Sequence, residues 1–177
     1  MAVKIKRVLF VLAPNDFRDE EFFEPKNVLE SKGIIVEVAN STGNTSRGTL
    51  GGRAEPNTTL DKVIVNDYDS IVFAGGPGCT VYFENKRAIN IAKEAYFKGK
   101  IVCSICLATG ILANAGLLKD KKATGFSSTK DMIESNGGTF TGKGVEISGR
   151  IITAAGPKNA TEFGNAILKA LGKNKDG

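Results

Sequence analysis

The stretch IVCSICLATG, residues 101–110, decides the fold. IVCSI is an apolar run of strand length, of the kind buried on both faces of a parallel sheet. The small residues after it, CLATGILANAG (106–116), read as a helix that ends at Gly116. Cys106 therefore stands where a buried strand turns straight into a helix. Working outward, RVLFVLA (7–13) and IIVEVAN (34–40) repeat the strand pattern, and DSIVFAGGPG (69–78) is a strand running into a glycine turn. Amphipathic segments lie between them. Residues 20–32 read as a helix that stops at Gly33, with Pro25 accommodated only if it falls in the first turn. ENKRAINIAKEAYFKGK (84–100) is helical, with Ala88, Ile91, Ala92, Ala95 and Tyr96 on one face.

The remainder follows the same alternation. STGNTSRGTLGGRAEPN (41–57) is an irregular stretch or a small hairpin, too long for a plain connector. TTLDKVIV (58–65) is ambiguous. KKATGF (121–126) is a short strand, and STKDMIESNGG (128–138) carries a Ser N-cap signal and a Gly stop. VEISGRIITAA (145–155) reads as a hairpin, and NATEFGNAILKALG (159–172) as a closing amphipathic helix. Strand–helix alternation of this kind implies an α/β fold, a parallel sheet with helices on both faces, and one domain over residues 1–177. In such folds ligands bind beyond the carboxyl ends of the strands, at the switch in strand order. DEEFFEP (19–25), AGGPG (74–78) and the turn at Cys106 break local rules at those ends, so the site is expected there.

Composition narrows the function. The 177 residues are 41% hydrophobic and 24% charged, as in globular proteins. No apolar run approaches the roughly 20 residues of a membrane helix. The start MAVKIKRVLFVLA reads as a first buried strand and not as a leader. The charge of +5 comes from scattered basic residues, a small cluster at Lys119, Lys121 and Lys122, and a tail GKNKDG. There is no basic stripe with interleaved aromatics, which argues against nucleic acid as a partner. An odd count of 3 cysteines suggests a reducing compartment such as the cytoplasm.

Two of those cysteines sit three apart. Along a strand they are separated by about 10 Å, whereas a disulfide needs α-carbons within about 7 Å. With Cys103 in the strand, the pair is not a redox couple. A metal reading lacks ligands, since the chain has no histidine and no second pair. Cys103 reads as a small buried apolar residue. Cys106 sits at a junction with the logic of a nucleophile elbow. A helix N-terminus there would lower its thiol pKa. A buried core cysteine is the competing reading.

Four segments in order resemble the DJ-1/PfpI superfamily of flavodoxin-like proteins: DEEFFEP (19–25), AGGPG (74–78), SICLATGILANAGLLKDKKATGF (104–126) and RIITAAGPKNATEFGNAILKAL (150–171). The resemblance implies a flavodoxin-like sandwich in which Cys106 is the nucleophile or oxidation-sensitive thiol and Glu21 its carboxyl partner. Backbone N–H groups of Gly76 and Leu107, beside Gly75, would form the oxyanion site. Phe126 would wall the pocket. Cys79, after the glycine turn, is a weak candidate for a resolving thiol, and a bland cysteine, exposed or half-buried, is the simpler reading. Arg47, with Arg53 as an alternative register, resembles an arginine brought across a dimer interface. The family implies a homodimer or higher homo-oligomer and no cofactor. Its members carry a histidine that this chain lacks at Leu107 and Phe126, so a Cys–His–acid protease is excluded.

The resemblance implies a glyoxalase or deglycase acting on small reactive carbonyls, such as methylglyoxal to lactate. Glu21 alone would relay protons, its pKa raised by the neighbouring thiolate. Hydration of an isonitrile is a related reading that wants a further acid near the thiol. The alternative is a non-enzymatic oxidative-stress sensor, with reversible oxidation of Cys106.

Overall fold

The computed structural model describes residues 3–173, so the last four residues of the basic tail lie outside it. The central sheet is built from β1 (Arg7–Val11), β2 (Ile35–Asn40), β3 (Thr58–Thr59), β4 (Ser70–Phe73), β5 (Ile101–Ile105), β6 (Val145–Ser148) and β7 (Ile151–Ala154). Their spatial order is β6-β7-β5-β4-β1-β2-β3. All neighbours run parallel except β6, which pairs antiparallel with β7 as the hairpin reading requires. The chain builds outward from β1 to β2 and β3, then returns to the other side of β1 with β4. The strand order thus switches between β1 and β4, the position where such sheets bind ligands.

The continuous apolar runs follow from burial on both faces. Val8 and Phe10 of β1 point to one face, and Leu9 and Val11 to the other. The first face is covered by α1 (Asp19–Glu30) and by α5 (Ala160–Lys173), through Phe22, Leu29, Phe163 and Ile167. α2 (Lys86–Phe97) and α3 (Thr109–Asn114) cover the second through Ile91, Ala92, Ile111 and Leu112. A short helix, α4 (Lys130–Ser135), packs beside α3. Segment 41–57 does form a hairpin, Ser46–Gly48 against Arg53–Ala54, extended by Asn15–Phe17 into a small sheet.

Three local expectations need correction. Pro25 lies in the second turn of α1, not the first. It removes the N–H that would bond the Glu21 carbonyl. The site tolerates it because α5 comes close there: a Cβ at Gly164 would lie 2.8 Å from the Pro25 Cα. Packing of the two helices offsets the lost hydrogen bond. Next, residues 106–116 are not one helix. Cys106–Ala108 is a 3-10 turn, and α3 has only 6 residues. Finally, Ser128 does not cap α4. Thr129 precedes that helix, and its hydroxyl turns back to the Phe126 carbonyl at 2.7 Å.

Candidate active site

The carboxyl ends of β1, β4 and β5 bring three segments together. After β5, Cys106 adopts φ 62°, the left-handed region, where a side chain is strained. A hydroxyl pair straddles this turn: Ser104 Oγ and Thr109 Oγ1 are 2.8 Å apart and buried. It ties the last part of the strand to the first residue of α3. After β4, Gly76 has φ 104°, and a Cβ there would sit 2.4 Å from the Arg18 nitrogen. Only glycine fits. The Gly76 and Leu107 backbone N–H groups both reach the Cys106 thiol.

After β1, α1 delivers Glu21. Its first turn is pinned by an aromatic cluster, with Phe22 edge-on to Phe10 at 5.3 Å and to Phe17 at 6.0 Å between centroids. Glu21 is fully buried. The Gly75 N–H donates to its Oε2 at 2.9 Å. Its Oε1 is buried with no hydrogen-bond partner among the described residues. The Cys106 side chain is its neighbour: a Cβ built on Gly75 would touch both Glu21 Oε2 and the Cys106 Cβ. Gly75 was expected beside Gly76 as an oxyanion donor. Its N–H is instead taken up by the carboxyl, so it holds Glu21 and is not free for a substrate.

Both titrating groups are pushed up. Burial raises Glu21 to about 8, against smaller opposing pulls from the Cys106 and Gly75 hydrogen bonds and the Arg18 charge. The cause is loss of water, not repulsion from a thiolate as the sequence suggested. Burial, then the Glu21 charge, raises the Cys106 thiol to about 12. The Leu107 and Gly76 N–H groups pull it down by less. The lowering expected from a helix N-terminus is outweighed, because a 3-10 turn and a short helix align few peptide dipoles. At neutral pH the carboxyl therefore holds a proton, and its loss begins in the physiological range.

A cavity of about 300 Å³ opens over this pair. Leu107, Phe126, Pro77 and Pro157 wall it, and Arg18 is its cationic member. Phe126 thus stands where the sequence put it. Pro157 comes from the Gly-Pro turn that begins after β7, and Pro77 from AGGPG, so both lay inside motifs already noted. Arg18 lay one residue outside DEEFFEP and went unremarked. A larger groove, about 440 Å³, lies at the other end of the sheet between Lys4–Lys6, Gly33 and Leu168. It contains no nucleophile or acid and is set aside as a site of chemistry.

The other candidates are not brought here. Cys79 is fully buried in the core on the α2 side, neither exposed nor half-buried, and it does not line the cavity. Burial drives its thiol far up, which leaves it a poor resolving group. Arg47 is exposed and lines a separate polar depression with Asn15, Thr42 and Asn44. Arg53 lies opposite it in the hairpin. Cys103 is fully buried, with Sγ 3.7 Å from Ser70 Oγ. One further carboxylate was missed: Asp19, buried at the start of α1, accepts the Leu50 N–H at 2.8 Å and the Gly52 N–H at 2.7 Å. It fastens the 46–54 hairpin to α1. Among the described residues no helix is long and apolar enough to cross a membrane.

Comparison with known proteins places the chain among its relatives. The chain is 41% identical to an uncharacterized protein of Methanocaldococcus jannaschii, over 98% of this chain and 86% of that one. It is 30% identical to a deglycase of Pyrococcus horikoshii, over 93% of this chain and 99% of the relative. A glutathione-independent glyoxalase of Caenorhabditis elegans is 29% identical, over 94% of this chain and 89% of the relative. The crystal structure of a ThiJ/PfpI domain protein from Brachyspira murdochii superposes with a TM-score of 0.94 at 31% identity, covering 97% of this chain and 99% of that one. Residues 6–170 match the DJ-1/PfpI family as a whole, and the chain belongs to that family.

Proposed function

We propose that this chain is a cysteine-dependent glyoxalase or deglycase that converts 2-oxoaldehydes into 2-hydroxy acids. The observation that carries the reading is the Glu21 carboxyl, buried beside Cys106 at one cavity and fixed through one oxygen by the Gly75 N–H, its other oxygen left without a partner among the described residues. In the active form the pair holds one proton. The Glu21 carboxylate takes the thiol proton as Sγ adds to the aldehyde carbon. The developing alkoxide lies against the Gly76 and Leu107 N–H groups and receives that proton, which gives a hemithioacetal. The Glu21 carboxylate then removes the carbon-bound proton and returns it to the neighbouring carbon, while the hydroxyl proton passes from the first oxygen to the second through the enediol. The product is a 2-hydroxy thioester. Water cleaves it to the hydroxy acid and restores the thiol. The sum adds one water to the oxoaldehyde and needs no oxidant. No histidine is required, because one carboxyl both accepts and donates.

Relatives named deglycase and glyoxalase support the reaction class. The raised thiol weighs against the alternative of an oxidation sensor, since oxidation follows thiolate character. The reading extends to a homodimer or higher homo-oligomer with Arg47 at the contact between copies, which sedimentation beside Arg47→Glu tests. The reaction itself is tested by mixing the pure protein with methylglyoxal and following lactate, beside Cys106→Ser and Glu21→Gln. Turnover that both substitutions abolish supports it. No turnover by the wild type, with its thiol confirmed reduced, overturns it.

A further inference from the structure

Arg18 is the one charged side chain of the cavity that the reaction above leaves unused. Its backbone N–H donates to the Gly75 carbonyl at 2.9 Å, which sets it beside the turn that holds Glu21. Its side chain is fixed by Glu20. Nε donates to Glu20 Oε2 at 2.7 Å and Nη2 to Oε1 at 3.1 Å. This is a side-on, two-bond pairing, and it immobilises a flexible cation at a wall of the cavity. It does not exhaust the guanidinium. Nη1 has no protein partner among the described residues, and together with the second N–H of Nη2 it forms an end-on fork.

The surroundings favour an anion at that fork. No other cation lines the cavity; apart from Glu21 and Cys106 its remaining walls are apolar side chains and backbone. Of the nearby acids, Glu20 is already committed to Arg18, Asp19 is turned to the Leu50 and Gly52 amides, and Glu21 is held by the Gly75 N–H. Size points the same way. A three-carbon oxoaldehyde occupies only a fraction of about 300 Å³. A planar carboxylate matches an end-on guanidinium fork.

We infer that the cavity takes 2-oxoaldehydes carrying a terminal carboxylate, with Arg18 recognising the carboxylate while Cys106 engages the aldehyde carbon. The inference rests on the proposed reaction for its aldehyde end. The carboxylate takes no part in bond making: the same water is added and the same proton moved. Arg18 is a specificity residue, positioned by Glu20.

The test separates recognition from turnover. The intact protein is alkylated with iodoacetate and, in parallel, with its neutral isostere iodoacetamide, and the label on the Cys106 peptide is followed by mass. Because both reagents meet the same thiol in the same protein, their rate ratio is insensitive to partial misfolding. The ratio of iodoacetate to iodoacetamide is expected to fall about tenfold in Arg18→Met, with partial retention in Arg18→Lys and erosion at high salt. A ratio that stays within about twofold of the wild type overturns the inference. The second arm compares kcat/KM for 4,5-dioxopentanoate with that for methylglyoxal. A preference for the carboxylated substrate that collapses in Arg18→Met supports the inference, and equal preference in both proteins overturns it. Absence of turnover on both substrates with a fallen alkylation ratio would defeat the proposed reaction and leave carboxylate recognition by Arg18 standing.

Discussion

The Gly75 N–H and the Glu21 carboxyl, 54 residues apart in sequence, are joined by a 2.9 Å hydrogen bond. This contact makes the glycine turn after β4 a holder for the acid. It also explains why the residue has no side chain. A Cβ at Gly75 would lie 2.6 Å from Glu21 Oε2, 2.7 Å from the Ile105 carbonyl and 2.9 Å from the Cys106 Cβ. All three neighbours are fixed parts of the site. Gly75→Ala is expected to push the carboxyl off the thiol. Overpacking of this kind costs about 1–3 kcal/mol, and a misplacement near 1 Å costs about a hundredfold in rate. Lactate formation and thermal unfolding measure both. Full activity in Gly75→Ala would show that Glu21 does not need this holder.

The Glu21 pKa sets a pH dependence of definite sign. Its folded value is raised from 4.5 to about 8, so the folded chain binds a proton that the unfolded chain releases across that interval. Stability linked to this group is full below 4.5 and is lost as pH rises through about 8. The loss is at most on the order of 5 kcal/mol. Glu21→Gln lacks the titration, so its denaturant midpoint should fall less than that of the wild type between pH 5 and 9. Turnover should move the opposite way. It needs the singly protonated pair, so kcat/KM should climb about tenfold per pH unit below pH 8 and level off above it. Parallel stability curves for the two proteins would show that Glu21 is not the buried acid.

The fold and the position of the candidate site in it were legible in the sequence, and what was not has physical reasons. β5 matches the expected 101–105 because residues buried on both faces leave no competing periodicity. Cys106 stood out because the apolar run meets small residues without a loop between them. The Gly75 role was unreadable, since a backbone N–H shows no chemistry in a sequence and its partner comes from another strand end. Pro25 was misplaced by one turn because local rules do not include α5 packing against it. The direction of the thiol shift was misjudged because a helix start is visible in a sequence, whereas the depth of its burial is not. Arg18 looked like any surface cation until the fold turned it toward the cavity.

Asp19 offers a prediction outside the reacting atoms. Its carboxylate accepts the Leu50 and Gly52 N–H groups and lies 3.3 Å from the Thr49 hydroxyl. Asp19→Ala orphans two backbone donors, for a cost of about 2 to 4 kcal/mol. Asp19→Asn keeps one acceptor oxygen and should cost less. Amide hydrogen exchange at Leu50 and Gly52 should accelerate in the alanine variant before the sheet strands open. Unchanged exchange at those two amides would show that the hairpin is held by its own pairing and not by Asp19.

Cys103 separates a structural thiol from a chemical one. It sits in β5 opposite Val72 and Cys103 Sγ lies 3.7 Å from Ser70 Oγ. Ser70 in turn bonds the Ile101 carbonyl at 2.9 Å, at the beginning of the strand. The thiol therefore leans back along β5, away from the turn that carries Cys106. Its burial is complete and it does not line the cavity onto which Cys106 opens, so of these two thiols reagents reach only Cys106. Cys103→Ala removes one sulfur from a tight interior and should cost about 1 kcal/mol. Turnover of methylglyoxal should remain within about twofold of the wild type, because no reacting group loses a partner. Peroxide treatment of the wild type should not join Cys106 to Cys103, and peptide mass reads this directly. A 103–106 disulfide, or loss of activity in Cys103→Ala with folding intact, would return the CxxC spacing to chemistry and require β5 to fray at its carboxyl end.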